Sequence, residues 1–97
     1  MKCVWDPAKN VTNLSKHGLG FEEAALLFDL PEHLILEAYD FEHSQQEDRV
    51  VSIGPIARGV IVVISTEWDD GETLRLISAR FASTQERQRY ANHIAGV

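Results

Sequence analysis

The stretch "LRLISARFASTQERQRY", residues 74–90, decides how the C-terminal half of the chain folds. Its first half is apolar and β-branched and predicts a strand over 72–81, while Ser83 and Glu86 form a capping box that predicts a helix start. Side chains alternate along a strand, so regular alternation predicts two sets of side chains. These are Leu74, Leu76, Ser78 and Arg80 on one face and Arg75, Ile77, Ala79 and Phe81 on the other. We therefore expect one arginine on each face of the sheet.

Three more strands precede this one, and an additional short strand lies at the N-terminus. The strands before 72–81 are predicted over 2–5, 33–39, 49–56 and 59–68. A polar loop over 40–48 separates the strand over 33–39 from the strand over 49–56. Short turns join the strands over 49–56, 59–68 and 72–81. Short turns favour antiparallel neighbours. We therefore expect a four-strand antiparallel meander plus the N-terminal strand.

Three helices are predicted from their end signals. Asp6 is a good N-cap, Pro7 suits the first helical position, and Gly18 suits the left-handed residue that ends a helix. A second helix is predicted over 21–28, and a third follows Ser83. The resulting order of elements predicts one α+β domain over residues 1–97. The helices are too few to cover both sheet faces, so one face is expected to stay partly open.

The charge is unevenly distributed along the chain. The net charge is −6, yet residues 49–97 carry six arginines against five acidic residues. Because an acidic protein repels phosphate, any binding of nucleic acid has to come from a local cluster of cations. The arginines, with Lys9 and Lys16, are the material available for such a cluster.

Other features of the composition point to the cytoplasm. A single cysteine, Cys3, excludes an internal disulfide and suits a reducing compartment. The longest apolar run, Val60 to Ile64, is far too short to span a membrane, and the N-terminus has no apolar signal core. The histidines lack the spacing of a zinc site, so we expect no metal and no cofactor.

Four sequence blocks, taken in order, resemble the BrnT toxins of bacterial type II toxin–antitoxin systems. They are "WDP" (5–7), "KHG" (16–18), "FEEA" (21–24) and "ISAR" (77–80). The resemblance implies a RelE-like fold and a ribonuclease that inhibits translation, with RNA, on or off the ribosome, as its target. It also implies a BrnA-like ribbon-helix-helix antitoxin as partner, so that DNA is contacted only through the antitoxin. One departure from the family pattern is Trp68, which stands where such sequences usually carry a basic residue.

Metal-independent cleavage of RNA needs a base, cations that stabilise the pentacoordinate phosphate, and an acid. The catalytic candidates are Arg80, Arg75, Lys16, His17, Glu67 and Tyr90, and the RNA-binding candidates are Arg49, Arg58, Arg87 and Trp68. Each has a structural alternative. Arg80 could pair with Glu86, Arg75 with Glu67 across the strands, and Arg58 could simply be solvated. Lys16 and His17 could serve the helix dipole, and Tyr90 could be a packing residue.

Two functions of different classes remain open at this point. The first is a metal-independent endoribonuclease toxin that is neutralised by its antitoxin. The second is a catalytically weak or inactive BrnT-like binding module that acts through the antitoxin in operon repression. The acidic net charge favours the second, and the intact "KHG" and "ISAR" blocks favour the first.

Overall fold

A computed structural model of the chain describes residues 1–39 and 48–96. The described residues form five strands and three helices, which confirms the α+β class. In chain order these are β1 (Lys2–Val4), α1 (Pro7–His17), α2 (Phe21–Ala24), β2 (Leu36–Tyr39), β3 (Arg49–Ile56), β4 (Gly59–Trp68), β5 (Thr73–Phe81) and α3 (Thr84–Ala95). The predicted loop over 40–48 lies outside the described residues except for Asp48. No helix in the described ranges is long and apolar enough to cross a membrane.

The five strands form one sheet in the order β1-β5-β4-β3-β2. The pairs β2–β3, β3–β4 and β4–β5 are antiparallel, whereas β1 is parallel to β5. The sheet is therefore mixed, because the N-terminal strand joins the edge formed by the last strand of the chain. The segment that contains α1 and α2 lies between β1 and β2 in the chain. It packs on one face of the sheet.

The helix ends predicted at Asp6, Gly18 and Ser83 are confirmed, whereas the second helix and the strand after it differ from the prediction by more than one residue. Asp6 Oδ1 accepts a 2.9 Å hydrogen bond from the Ala8 N–H, and Gly18 ends α1 with a φ of 69°. Ser83 and Glu86 form both hydrogen bonds of the capping box. The predicted second helix is α-helical only to Ala24 and continues as a 3-10 helix over Ala25–Asp29. A 3-10 turn after Pro31 delays β2 to Leu36.

The hydrophobic core lies between the sheet and the segment that contains α1, α2 and the first 3-10 helix. Its fully buried members are Leu19, Phe21, Ala24, Leu27, Ile61, Val63 and Ala79, joined by the nearly buried Leu74 and Leu76. A smaller cluster lies on the opposite face. There Ala82, which precedes α3, and Tyr90 of α3 pack with Ile53 and Val62. Helix α3 therefore covers part of the second face of the sheet.

A β-bulge in β5 changes which side chains share a face. Ile64 of β4 pairs with Ser78, but the next residue, Ser65, pairs with Leu76, so Ile77 has no opposite residue in β4. An extra residue of this kind resets the alternation of the strand. The core face consequently receives Leu74, Leu76, Ala79 and Phe81, and the other face receives Arg75, Ser78 and Arg80. The prediction of one arginine on each face is wrong, because it assumed an uninterrupted strand.

The edge of β5 beyond β1 is closed by a side chain of α1. β1 pairs only with Thr73–Arg75. Farther along the strand, Asn13 Nδ2 donates to the Ala79 carbonyl at 2.7 Å and its Oδ1 accepts from the Ala79 N–H at 3.2 Å. Nδ2 also donates to the Leu19 carbonyl at 2.8 Å. The buried carboxamide thus makes the two hydrogen bonds that a neighbouring strand would make and also fixes the chain after α1.

Replacing this carboxamide is expected to destabilise the fold strongly. Asn13→Ala leaves buried backbone groups of Ala79 and Leu19 without partners, which we expect to lower the free energy of unfolding by about 2–4 kcal/mol. Thr12→Ala is the control, because Thr12 is exposed and donates only to the Ala8 carbonyl of its own helix. Urea-induced unfolding of both variants tests this expectation. An Asn13→Ala protein as stable as Thr12→Ala would contradict it.

Candidate functional site

A row of residues crosses three strands on the sheet face opposite the main core. Thr66 of β4 pairs with Arg49 of β3 on one side and with Arg75 of β5 on the other. Adjacent strands lie about 4.8 Å apart, so the two arginine backbones are separated by roughly 10 Å. We call Arg49, Thr66 and Arg75 the arginine row. Trp68 follows Thr66 on the same face and is 43% exposed.

Within the arginine row, Arg75 is well suited to bind an anion, and Thr66 is buried beside it. The guanidinium carbon of Arg75 lies 5.5 Å from the centroid of the Trp68 ring, and Arg75 makes no ion pair with any residue in the described ranges. Its charge is therefore not neutralised by a carboxylate there. Thr66 is 1% exposed, and its Oγ1 has no hydrogen-bond partner among the described residues. The hydroxyl is therefore inaccessible, and an anion on this face would contact the arginine side chains rather than Thr66.

Glu67 lies on the opposite face from the arginine row. It pairs with Leu74 across the strands, whereas the cross-strand partner of Arg75 is Thr66. The suggested Glu67–Arg75 salt bridge is therefore wrong. Glu67 instead lines a depression of about 240 Å³ with Asp48, Val50, Asp70 and Gly71. This depression carries negative charge and is unsuited to phosphate.

Arg80 lies on the same face as Arg75 but is paired with Glu86. Its Nη1 and Nη2 donate to the two carboxylate oxygens at 2.7 and 2.8 Å, so the structural alternative for Arg80 is observed. The hydrogen bonds from Arg80, with those of the helix cap, lower the pKa of Glu86 to about 2. Since Glu86 also accepts from the Ser83 N–H, the pair links the end of β5 to the first turn of α3.

Arg58 is part of the structural framework and is not simply solvated, as the sequence suggested. It donates two hydrogen bonds of 2.7 Å to Glu23 and one of 2.8 Å to the Gly18 carbonyl. Its guanidinium carbon also lies 5.1 Å from the centroid of the Phe81 ring. The hydrogen bond with Arg58 lowers the pKa of Glu23. Arg58 thus ties the β3–β4 turn to the chain around α2.

Two candidates on α3 also make contacts within the fold. Arg87 donates to the Ala82 carbonyl at 3.0 Å and to Thr84 Oγ1 at 3.1 Å. Tyr90 donates a 2.6 Å hydrogen bond to the Leu34 carbonyl, and burial raises the pKa of its phenol. A phenol that already donates its proton to a carbonyl anchors α3 and is poorly suited to act as a base.

Lys16 and His17 lie in a separate cleft between α1 and the bulge of β5. The cleft has a volume of about 300 Å³. It is lined by Ala8, Lys9, Thr12, Asn13, Lys16, His17, Ile77 and Ser78, and we call it the α1 cleft. Lys9 and Lys16 make no ion pair within the described part of the chain. Ser78 also belongs to the face of the arginine row, because it pairs with Ile64 across the strands.

The structure therefore divides the ten candidates into three groups. Arg49, Arg75 and Trp68 lie together on the sheet face, and Lys16 and His17 lie in the α1 cleft. The others are engaged in structural contacts or lie apart, namely Arg58, Arg80, Arg87, Tyr90 and Glu67. Sequence reasoning did not identify Thr66 or Ser78 as site residues. Ser78 belongs to the "ISAR" block, but the place of both residues on this surface follows only from the register of β4 against β5.

The described residues contain no group of three or more histidine, cysteine or acidic side chains arranged to hold a metal ion. The candidate site is therefore described by its cations and hydroxyls. These are the groups that bind phosphate oxygens in proteins.

The Arg80–Glu86 pair makes stability depend on pH in a defined window. Because the pKa of Glu86 falls from 4.5 to about 2 on folding, its contribution is fully present above about pH 4.5 and is lost as the pH falls toward 2. We expect Glu86→Gln to lower the free energy of unfolding by about 1–2 kcal/mol at pH 7. The deficit should shrink between pH 4.5 and 2, as measured by urea unfolding. Glu72→Gln, at an exposed turn, is the control. A deficit that stays constant with pH would contradict the assignment.

One known protein family matches most of the chain. No curated protein gives a significant match to the chain. The family model described as "Ribonuclease toxin, BrnT, of type II toxin-antitoxin system" matches residues 5–86. This range includes the arginine row and the α1 cleft, and it ends at the capping-box residue Glu86. The chain therefore belongs to the BrnT family of ribonuclease toxins of type II toxin–antitoxin systems.

Proposed function

We propose that this protein is a metal-independent endoribonuclease that cleaves RNA in the cytoplasm and thereby inhibits translation. Its neutralising partner would be a BrnA-like ribbon-helix-helix antitoxin, through which the complex contacts operator DNA. Membership of the BrnT family supports a ribonuclease and an antitoxin partner. A RelE-like relationship of the fold is part of the same proposal. The observation that carries it is the arginine row, with Arg49 and Arg75 on one face of the sheet on either side of Thr66.

The arginine row would bind the scissile phosphate. A guanidinium presents its N–H groups in a planar fork that matches two phosphate oxygens. Arg75 is the principal cation in this proposal, because no carboxylate of the described residues neutralises it. Arg49, on the other side of Thr66, would supply a second cation.

Cleavage would proceed by attack of the ribose 2′-oxygen on the neighbouring phosphorus. The bond from phosphorus to the 5′-oxygen breaks, which leaves a 2′,3′-cyclic phosphate and a free 5′-hydroxyl. The 2′-hydroxyl loses one proton and the departing 5′-oxygen gains one, so the protons balance. The arginine row would stabilise the extra negative charge on the pentacoordinate phosphate, a contribution that is large in many enzymes. Glu67, on the opposite face, and Tyr90, bound to Leu34, are not placed to transfer these protons.

Arg75 and Arg80 are expected to behave differently when they are replaced. Arg75→Ala should lower the rate of RNA cleavage by about 100-fold or more, with little change in stability, because it removes a cation from the scissile phosphate. Arg80→Ala should mainly lower stability, because it leaves Glu86 without its partner. The matched control is Arg89→Ala, which removes one exposed arginine of α3. The measurements are growth after tightly controlled induction, cleavage of single-stranded RNA in excess EDTA, and urea unfolding.

Two results would contradict the proposal in different ways. Equal cleavage by the parent and Arg75→Ala would remove the arginine row from the active site. A folded, well-expressed parent that neither arrests growth nor cleaves RNA would favour the binding module, in which the protein acts through its antitoxin in repression.

A further inference from the structure

We propose that the α1 cleft is a second phosphate site, which binds the RNA backbone one or a few nucleotides away from the phosphate at the arginine row. This inference rests on the proposed function, because it assigns the substrate contact that extends the same site. Lys9, Lys16 and His17 are the cationic or ionisable groups of this subsite, and Ser78 connects it to the sheet face.

The lining of the α1 cleft has the chemistry of an anion site. Three of its side chains are basic, two carry hydroxyls, and none of the described residues that line it is acidic. In a chain of net charge −6, a cleft that gathers bases without a carboxylate is unlike the surface as a whole. Lys9 and Lys16 stand seven residues apart on α1, a spacing that puts them on one side of the helix.

The helix dipole accounts for the position of Lys16 and His17 but not for that of Lys9. Lys16 and His17 occupy the last turn of α1, where positive charge is favoured by the helix dipole. Lys9 occupies the first turn of the same helix, three residues after the N-cap Asp6, and the helix dipole disfavours positive charge there. The hydrogen bonds that join α1 to β5 are made by Asn13 and need neither lysine. The placement of Lys9 is explained if the cleft binds an anion.

The cleft and the arginine row are close enough for one strand of RNA to reach both. Ser78 lines the cleft and follows Arg75 by three residues along β5, a distance of roughly 10 Å on an extended strand. Ile77, the bulge residue, lines the cleft beside Ser78. An extended single strand that places one phosphate at Arg75 can therefore continue over Ser78 toward Lys16. This continuity favours RNA as the ligand over a separate acidic peptide.

Binding of uncleavable RNA to the full chain tests this inference. The probes are 2′-O-methylated oligonucleotides of two and eight nucleotides, titrated by fluorescence anisotropy at several salt concentrations. We expect Lys9→Ala and Lys16→Ala each to weaken binding of the octamer by about 3–10-fold and to reduce the salt slope by about 0.7, the value for one phosphate contact on a single strand. The dinucleotide should bind all these variants as it binds the parent.

Three further variants separate the possible failures. Arg89→Ala removes one exposed positive charge that does not line the cleft and should change octamer binding by less than about 2-fold. Arg75→Ala should weaken binding of both probes. Asn13→Ala is unsuitable here because it perturbs the fold. Circular dichroism confirms that the lysine variants, whose side chains are exposed, are folded.

Each outcome decides between the two assignments. Loss of binding in Arg75→Ala with no effect of the lysine variants would overturn the cleft as a subsite and leave the arginine row in place. Loss in the lysine variants without any effect of Arg75→Ala would support RNA binding by the cleft and overturn the arginine row. Loss of octamer binding that Arg89→Ala reproduces would overturn the cleft assignment in favour of general charge. Displacement of the octamer by hexaglutamate at equal charge concentration would overturn it in favour of an acidic peptide.

Discussion

Ile77 of β5 has no partner in the ladder between β4 and β5. This bulge determines which side of the sheet every later side chain of β5 occupies. Without the bulge, a strand that places Ala79 and Phe81 in the core would also place Arg75 there. Burying an unpaired guanidinium there would cost several kcal/mol. With it, Leu74, Leu76 and Ala79 all face the core while Arg75 and Arg80 share the other face. A single unpaired residue thus reconciles a continuous core with a cationic surface.

The other edge of β5 imposes a second constraint, because β1 is short. β1 reaches only to Arg75, so the strand beyond it would expose backbone groups at the sheet edge. Asn13 satisfies the Ala79 groups from α1, which holds the helix against this edge without adding another strand. The space left between the helix and the bulged strand is the α1 cleft. The two candidate phosphate sites therefore adjoin the same part of β5, and Ser78 lies where they meet.

Features that depend on local chemistry were predictable from the sequence. The strands over 49–56 and 59–68 match the observed bounds, because β-branched runs between short turns leave little freedom. The helix ends at Asp6, Gly18 and Ser83 follow from hydrogen bonds to nearby backbone groups. Features set by distant contacts were not predictable. The bulge depends on the register of two strands, and the Arg58–Glu23 pair joins residues far apart in the chain. Arg75 and Arg80 consequently could not be ranked until the register was known.

The sheet separates part of the acidic charge from the arginine row. The depression with Glu67, Asp48 and Asp70 lies on the opposite face from the arginine row. Exposed charges that lie more than roughly 8–10 Å apart are largely screened at physiological salt. Arg75 is therefore attractive to a phosphate in direct contact, while the whole molecule offers little long-range attraction to RNA. Such a protein depends on a few short contacts at the correct spacing, which makes the distance between the arginine row and the α1 cleft a determinant of which RNA it can bind.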